Sequence, residues 1–142
     1  MVAEPMNIEE ALSHLRVFQH VMVGTVDANK PKIRPMTLIY LDKRFWLITD
    51  TKSAKVGQIQ NNPNVEFCLV FTEDDLDCCL RFSGVVGIRK DQESRTKIAN
   101  HCDFFNRHWK NADDPNFTLL EVYPKEIEYV RPNRTTRMKY SV

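Results

Sequence analysis

The sequence contains no apolar run of the roughly 18 to 20 residues that a membrane-spanning helix needs. It also lacks an excess of charge of either sign, because 20 Lys and Arg residues nearly balance 19 Asp and Glu residues and leave a net charge of +1. Such a chain has no general field that attracts nucleic acid or a membrane surface, so we expect neither as a partner. Any anion that it binds must be held by a local cluster of residues.

The chain has no CxxC motif either. Its four cysteines are Cys68, Cys78, Cys79 and Cys102, and they lie inside apolar patterns. This usage predicts buried, reduced thiols in a cytoplasmic protein. A metal site built from Cys78, Cys79, His101 and Cys102 is conceivable, but zinc ligands usually have wider, paired spacing, so we predict no metal site.

A length of 142 residues suits one domain with one hydrophobic core, which predicts a single domain over 1–142 with a basic tail at 131–142. The first six residues are followed by a polar helix start rather than an apolar run, so we expect no signal peptide. Apolar residues make up 42% of the chain, an ordinary share for a globular protein.

The apolar pattern alternates between helical and strand periods. Helices are predicted from Asn7, whose side chain suits an N-cap, to about Phe18, then over 53–61 and 91–109. Strands are predicted over 20–26, 33–41, 45–49, 65–71, 78–89 and 117–130. Short turns join the first three strands, which indicates an antiparallel meander. The complete order predicts a mainly β fold, a six-stranded antiparallel barrel with flanking helices.

Three residues are suited to binding an anion. Ser53 is a good N-cap for the short helix, Lys55 adds a charge one turn into it, and Arg34 on the second strand offers a two-pronged guanidinium. A helix N-terminus presents free N–H groups and a positive dipole, so it favours phosphate. The same residues also fit an ordinary helix start with solvated surface charges.

Several short segments of the chain resemble a known family. They are RPMTL at 34–38, WLITDT at 46–51, SAK at 53–55, QIQNNPNV at 58–65 and FSGV at 82–85. Their order and gaps resemble the FMN-binding half of the pyridoxamine 5′-phosphate oxidase-like split-barrel proteins. The resemblance covers about 21–90 well, and the Ser-x-Lys followed by Asn-Asn-Pro-x-Val is its most specific part.

The resemblance implies a cofactor, a site and a partner. It implies that FMN is bound with its phosphate on Arg34, Ser53 and Lys55. The flavin ring would lie along Met36, Thr37 and Leu38, with Ile48 and Thr49 beside it. The flavin would sit between the subunits of a homodimer, with the partner's strand near Ser83 and Gly84 completing the site. Trp109 or the C-terminal tail would help to complete it, although a helix-end core aromatic is the alternative for Trp109.

The resemblance implies a flavin-dependent oxidoreductase that passes electrons from a reduced nicotinamide to a small acceptor. A non-catalytic FMN-binding or stress-associated protein is one alternative, and a haem- or deazaflavin-binding split barrel is another. Val130 and Ile39 stand where the oxidases of pyridoxamine 5′-phosphate carry a tryptophan and a second basic residue. No catalytic residue is predicted, because the four histidines lie outside these motifs and flavin carries hydride chemistry itself.

Overall fold

The computed structural model describes residues 8–130 and 137–141. The helices are α1 (Ile8–Leu12), α2 (Ala54–Asn61) and α3 (Gln92–His101), and a 3₁₀ turn follows at Phe105–Arg107. The strands are β1 (Phe18–Asp27), β2 (Lys30–Leu41), β3 (Arg44–Asp50), β4 (Asn64–Glu73), β5 (Leu76–Arg89), β6 (Phe117–Val130) and β7 (Arg137–Ser141). Within these ranges, no helix is both long and apolar enough to cross a membrane.

The strands pair antiparallel, and the sheet order is β3-β2-β1-β4-β5-β6-β7. The first half of β6 also pairs with β3, which closes six strands into a ring. The second half of β6 pairs with β7 instead. The predicted antiparallel six-stranded barrel is therefore confirmed, but the sequence did not predict β7, which lies in the segment expected to be a basic tail.

Three two-residue turns connect the hairpins β1–β2, β2–β3 and β4–β5. The central residues are Ala28 and Asn29, Asp42 and Lys43, and Asp74 and Asp75, all with φ between 46° and 67°. Positive φ at both central positions is the mark of the type I′ turn, whose twist matches that of the flanking strands. Asn and Asp tolerate this conformation better than most residues, so local chemistry determines these turns.

The strands bury side chains on both of their faces. The barrel core encloses residues such as Leu38, Leu47, Phe67, Phe82 and Leu120, all with 0% exposure. An outer cluster packs α3 and the 3₁₀ turn against β2, β3 and β6. It contains Ile39, Trp46, Ile98, Cys102, Phe105, Trp109, Phe117 and Leu119. Successive strand residues point to opposite faces, so Leu38 enters the barrel core and Ile39 enters the outer cluster.

The pairing of β5 with β6 is interrupted near the middle of both strands. The register shifts between Ser83 and Gly84, so that Ser83 lies opposite Glu126 and Gly84 lies opposite Pro124. A Cβ atom at Gly84 would collide with the backbone of Tyr123. Glycine is required there by the close approach of the two backbones.

Helix α1 is shorter than the prediction from its apolar stripe. It ends at Leu12, whereas Phe18 is already the first residue of β1 and pairs with Ile39. The backbone N–H of Tyr40 donates to the carbonyl of Val17, so sheet pairing starts where the helix was expected to continue. Long-range pairing overrode the local period here. The proposed N-cap Asn7 lies outside the described residues.

Helix α3 also ends before its predicted limit. Asp91 is its N-cap, and the Asp91 carboxylate accepts a hydrogen bond from the Ser94 N–H at 3.0 Å. The helix stops at His101, and Cys102 is extended. The 3₁₀ turn that follows lets Phe105 and Trp109 pack against Phe117 with ring centroids 4.8 and 5.2 Å away.

Candidate functional site

The start of α2 lies directly after β3, at one end of the barrel. Ser53 occupies the N-cap position as predicted, but its side chain makes no hydrogen bond to the helix N–H groups. Its hydroxyl instead lies 3.3 Å from the Thr49 Oγ1 at the end of β3. The Ser53 hydroxyl is therefore directed to Thr49 and does not cap the first turn of α2.

Lys55 and Arg34 converge on this place from two elements. The Lys55 Nζ donates to Thr49 Oγ1 at 2.9 Å, and the Arg34 Nη2 donates to the Gln58 Oε1 at 2.9 Å. Burial, and then repulsion by the Arg34 charge, lower the pKa of Lys55, while Asp50 partly offsets this. Burial lowers the pKa of Arg34 as well. The two cations are therefore close enough to repel each other.

Neither cation forms an ion pair with a carboxylate within the described parts of the chain. The hydrogen-bond partners of both are neutral groups, which for Arg34 are the Val23 carbonyl at 3.3 Å and Gln58. We call Arg34, Thr49, Ser53, Lys55 and Gln58 the phosphate cluster. Two cations held close together with no directly paired carboxylate are stabilised by an anion that enters between them, and guanidinium, ammonium and hydroxyl donors suit a phosphate.

Two residues of this site were missed as functional candidates. The Gln58 Oε1 accepts hydrogen bonds from both Arg34 and the buried Thr25, whose Oγ1 lies 2.7 Å away. Gln58 therefore orients the Arg34 guanidinium. The signals were present in the sequence, because Thr25 is a polar residue at an inward position of β1, and Gln58 is three residues after Lys55 on one helix face.

The residues predicted to line a flavin ring lie on both sides of the sheet. Met36 and Leu38 point into the barrel core with exposures of 8% and 0%, so they can offer a ligand only their backbone. Thr37 points outward and is half-buried. Ile48 is half-buried against the outer cluster, and Thr49 is buried beside Lys55. Of the residues 36–38, only Thr37 therefore offers its side chain to a possible ligand.

Trp109 and Ser83 are engaged within the chain. The Trp109 indole N–H donates to the Asp50 carboxylate at 2.9 Å and to the Asn116 carbonyl at 3.0 Å, and its ring belongs to the outer cluster. The Ser83 hydroxyl donates to Glu66 at 2.9 Å on the outer face of β5. Neither side chain contacts the phosphate cluster of its own protomer in a described hydrogen bond.

An open cleft of about 780 Å³ lies beside Thr37 on the outer face of the sheet. Its walls include His14, His20 and His108, together with Arg16 and Arg107. These histidines lie outside the predicted flavin motifs in the sequence. The fold brings three of them to the cleft next to Thr37.

The four residues considered as metal ligands do not form one group. Cys78 is 1% exposed at an inward position of β5, and Cys102 is buried in the outer cluster beside α3. His101 is exposed, and its Nδ1 lies 2.8 Å from the Lys97 carbonyl of the same helix. The described residues contain no group of three or more His, Cys, Asp or Glu side chains that could hold a metal ion.

Comparison with known proteins supports the resemblance. The general stress protein 26 of Bacillus subtilis (strain 168) is 29% identical over 126 residues, which cover 86% of this chain and 89% of that protein. An FMN-binding protein of Nostoc punctiforme PCC 73102 described as related to pyridoxamine 5′-phosphate oxidase superposes with a TM-score of 0.68 at 20% identity, over 100% of this chain and 99% of that one. A haem-binding protein from Mycobacterium smegmatis superposes with a TM-score of 0.80 at 14% identity, over 99% of this chain and 60% of that one.

The family itself follows from a match along nearly the whole described chain. Residues 8–131 match the family model for pyridoxamine 5′-phosphate oxidase. This range contains the complete barrel and every residue of the phosphate cluster. This match agrees with two features of the fold, which are the closed antiparallel barrel and the position of α2 directly after β3. The chain belongs to the pyridoxamine 5′-phosphate oxidase family.

Proposed function

We propose that this protein binds FMN at the phosphate cluster and passes electrons from a reduced nicotinamide to a small acceptor. The observation that carries the proposal is the approach of Arg34 and Lys55 without a paired carboxylate in the described residues. A phosphate monoester carries a charge of about −1.5 to −2 at pH 7, which would neutralise both cations. The free N–H groups of the first turn of α2 would add hydrogen bonds.

When bound, the flavin supplies the hydride chemistry, and the protein positions it and shields it from water. Arg34 and Lys55 hold the phosphate, and Gln58 keeps the guanidinium in place through its 2.9 Å bond. The backbone of β2 at 36–38 and the Thr37 side chain form one wall for the ring. The cleft beside Thr37 offers room for the donor or the acceptor.

A homodimer is part of this proposal, because one protomer offers only one wall for the ring. Met36 and Leu38 are buried in the barrel core, and Trp109 is held by Asp50 and Asn116. The second wall must then come from another chain. The outer face of β5 around Ser83 and Gly84 of the partner is the surface that we assign to it.

Two other functions remain candidates on specific observations. Similarity to a general stress protein favours the stress-associated alternative. The fold of a haem-binding protein, together with three histidines around the cleft, favours haem as the second cofactor candidate, since haem iron is often held by a histidine.

The absorbance spectrum of the purified protein tests the cofactor, because flavin bands support FMN and a Soret band supports haem. FMN titration of the double variant Arg34→Ala/Lys55→Ala then tests the site. Each charge-assisted hydrogen bond contributes about 1.5 to 3 kcal/mol, so we expect a loss of affinity of roughly 10²- to 10⁴-fold. Lys52→Ala is the matched control, because Lys52 is an exposed lysine in the same turn. Equal FMN affinity in the double variant and the control contradicts the proposed site.

Oxidation of NADH by the FMN-loaded protein separates the enzyme from the carrier. Turnover with a range of small acceptors supports the oxidoreductase. Full FMN occupancy without turnover for any acceptor would leave the non-catalytic role.

Subunit mixing tests whether each site uses two chains. The Arg34→Ala/Lys55→Ala chain lacks the phosphate cluster, and a Ser83→Trp chain would block the wall it lends to its partner. A mixed dimer would retain one intact site, so random mixing should restore roughly a quarter of the wild-type FMN content. No recovery in mixed dimers whose formation is verified by mass would place both walls on one chain.

A further inference from the structure

His20 lies beside the surface that the proposed function assigns to the flavin ring. In the pairing of β1 with β2, His20 lies directly opposite Thr37. Its neighbour Val21 is buried in the barrel core, so His20 points to the outer face of the sheet, as Thr37 does. Side chains directly opposite each other on one face have Cβ atoms about 4.5 to 5.5 Å apart. The sheet therefore places the imidazole of His20 next to Thr37.

The other two histidines of the cleft beside Thr37 are held at its walls by neighbouring side chains. The His14 Nε2 lies 2.7 Å from the hydroxyl of the buried Tyr129. His108 follows the 3₁₀ turn, and its ring lies against the ring of Trp109, with the centroids 5.3 Å apart. The His20 side chain is exposed and makes no hydrogen bond to the part of the chain that the structure describes. Its imidazole is therefore available to a molecule in the cleft.

Two aromatic rings stand on the walls of the cleft near His20. Phe18 and Phe104 both line the cleft, and their rings meet edge to face with centroids 5.7 Å apart. Residues two positions apart in a strand share one face, so Phe18 and His20 lie side by side on β1. An aromatic wall beside a proton-donating group suits a planar molecule that carries a polar oxygen. The cleft volume of about 780 Å³ leaves room for such a molecule.

We propose that His20 donates a proton to the electron acceptor, and that this acceptor is a planar, quinone-like molecule that takes up protons together with electrons. The inference rests on the proposed function, because the electrons reach the acceptor through the bound flavin. Histidine is the side chain that most often transfers protons in enzymes, and a positioned acid or base contributes roughly 10²- to 10⁴-fold to a rate.

The reaction balances with one hydride and one proton. A quinone that accepts a hydride, which carries two electrons and one proton, becomes the anion of a hydroquinone. The protonated imidazole of His20 gives its proton to the anionic oxygen, so that an O–H bond forms and a neutral imidazole remains. Solvent then returns a proton to the imidazole. The reduced nicotinamide supplies the hydride through the cofactor, so one nicotinamide is oxidised for each quinone that is reduced.

The ratio of two turnover rates of the FMN-loaded protein with NADH tests the proton donor. Duroquinone takes up protons with its electrons, whereas ferricyanide takes up an electron and no proton. In His20→Gln, we expect the duroquinone rate divided by the ferricyanide rate to fall by roughly 10²-fold. The ratio cancels any change in FMN content or in the oxidation of the nicotinamide.

His101→Gln is the matched control, because His101 is an exposed histidine of α3 that does not line the cleft. Its ratio should equal that of the wild type. An unchanged ratio in His20→Gln overturns the proposal, and so does an equal fall in the control. A fall in His108→Gln instead of His20→Gln would assign the proton to the wrong wall of the cleft and overturn it as well.

Nuclear magnetic resonance tests the position of His20 without turnover. The Cε1–H signal of His20 is assigned by its loss in His20→Gln. Addition of FMN to the apoprotein should shift this signal, because the ring current of an aromatic ligand acts on nearby protons, and the His101 signal should stay in place. An unshifted His20 signal in FMN-saturated protein overturns this inference and leaves FMN binding intact.

The failure of this inference is distinguishable from the failure of the proposed function. If the FMN-loaded wild type oxidises NADH with neither acceptor, the proposed electron transfer fails, and the role of His20 fails with it. If the wild type turns over with ferricyanide but not with duroquinone, the electron transfer stands, and the assigned class of acceptor is wrong.

Discussion

Two of the arginine-containing clusters of the barrel have their charges arranged in opposite ways. In the first, which we call the Glu121 cluster, the 3% exposed Glu121 accepts from Arg44 at 3.0 Å and from Arg89 at 2.5 Å. Both guanidiniums lie over the ring of Trp46, 5.3 and 5.7 Å from its centroid. In the phosphate cluster, Arg34 and Lys55 have only neutral hydrogen-bond partners among the described residues.

This difference separates a cluster whose charges are paired within the chain from one whose cations have no directly paired carboxylate. A buried carboxylate is costly unless it is paired, so the Glu121 cluster is complete within the chain. The phosphate cluster carries two charges that repel each other, and this repulsion contributes to the lowered pKa of Lys55. An arginine in a sequence motif therefore does not by itself identify an anion-binding site. The absence of its counter-charge is what points to a ligand.

The largest effect is expected when a carboxylate is introduced into the phosphate cluster, so that it resembles the Glu121 cluster. Gln58→Glu is nearly isosteric and places a negative charge 2.9 Å from Arg34. It would pair with the cation and repel the phosphate, and charges about 4 Å apart interact by about 4 kcal/mol at an effective dielectric constant of 20. We expect FMN affinity to fall by roughly 10²- to 10³-fold in a fluorescence titration.

Gln58→Leu is the control for the lost amide. It frees Arg34 without adding a charge, so we expect a smaller loss, of roughly tenfold, from poorer orientation of the guanidinium. If Gln58→Glu binds FMN as tightly as the wild type, phosphate does not occupy this place.

The reciprocal change removes the carboxylate from the Glu121 cluster. Glu121→Gln removes the buried carboxylate that accepts from Arg44 and Arg89, whose side chains are 48% and 25% exposed, so we expect a loss of about 1.5 to 3 kcal/mol in the free energy of unfolding. Urea denaturation measures it. FMN affinity should not change. A variant as stable as the wild type would show that the pairing of Glu121 with the two arginines does not stabilise the fold.

The pH dependence of FMN binding follows from the lowered pKa of Lys55. A lysine with a lowered pKa loses its proton at a lower pH than an ordinary lysine, whose pKa is about 10.4. In the proposed site the charged form of Lys55 would bind the phosphate, so FMN affinity should begin to fall in the alkaline range as pH passes the pKa of Lys55. Titrations across the range from neutral to alkaline pH measure this fall, and Lys55→Arg should flatten it. The same fall in Lys55→Arg would assign it to another group.

The smallest effect is expected at Trp109. Trp109→Phe keeps an aromatic ring in the outer cluster but loses the hydrogen bonds to Asp50 and Asn116. We expect about 1 kcal/mol of lost stability and less than roughly a threefold change in FMN affinity. A much larger loss of affinity would mean that the indole contacts the cofactor in the dimer.

Local signals predicted much of the fold and part of the candidate site. Strand alternation and turn residues located all six strands of the ring, and 117–130 agrees with β6 at both ends. Ser53 was placed correctly at the start of α2 because N-cap chemistry is local. Helix lengths were less predictable. Phe18 and Phe105 both follow a helical period in the sequence. In the structure, however, Phe18 pairs within the sheet and Phe105 packs against Phe117 outside the helix.

The sequence by itself determined which segments extend, where they turn and which residue types could hold an anion, because these depend on neighbouring residues along the chain. Only the tertiary structure decided that β3 pairs with β6 and that β7 adds to its far half. It also decided that Arg34, 24 residues before Gln58, shares that side chain with Thr25 and has no paired carboxylate among the described residues. Whether a charge is neutralised depends on residues distant in sequence, and for that reason the unneutralised phosphate cluster became visible only in the folded chain.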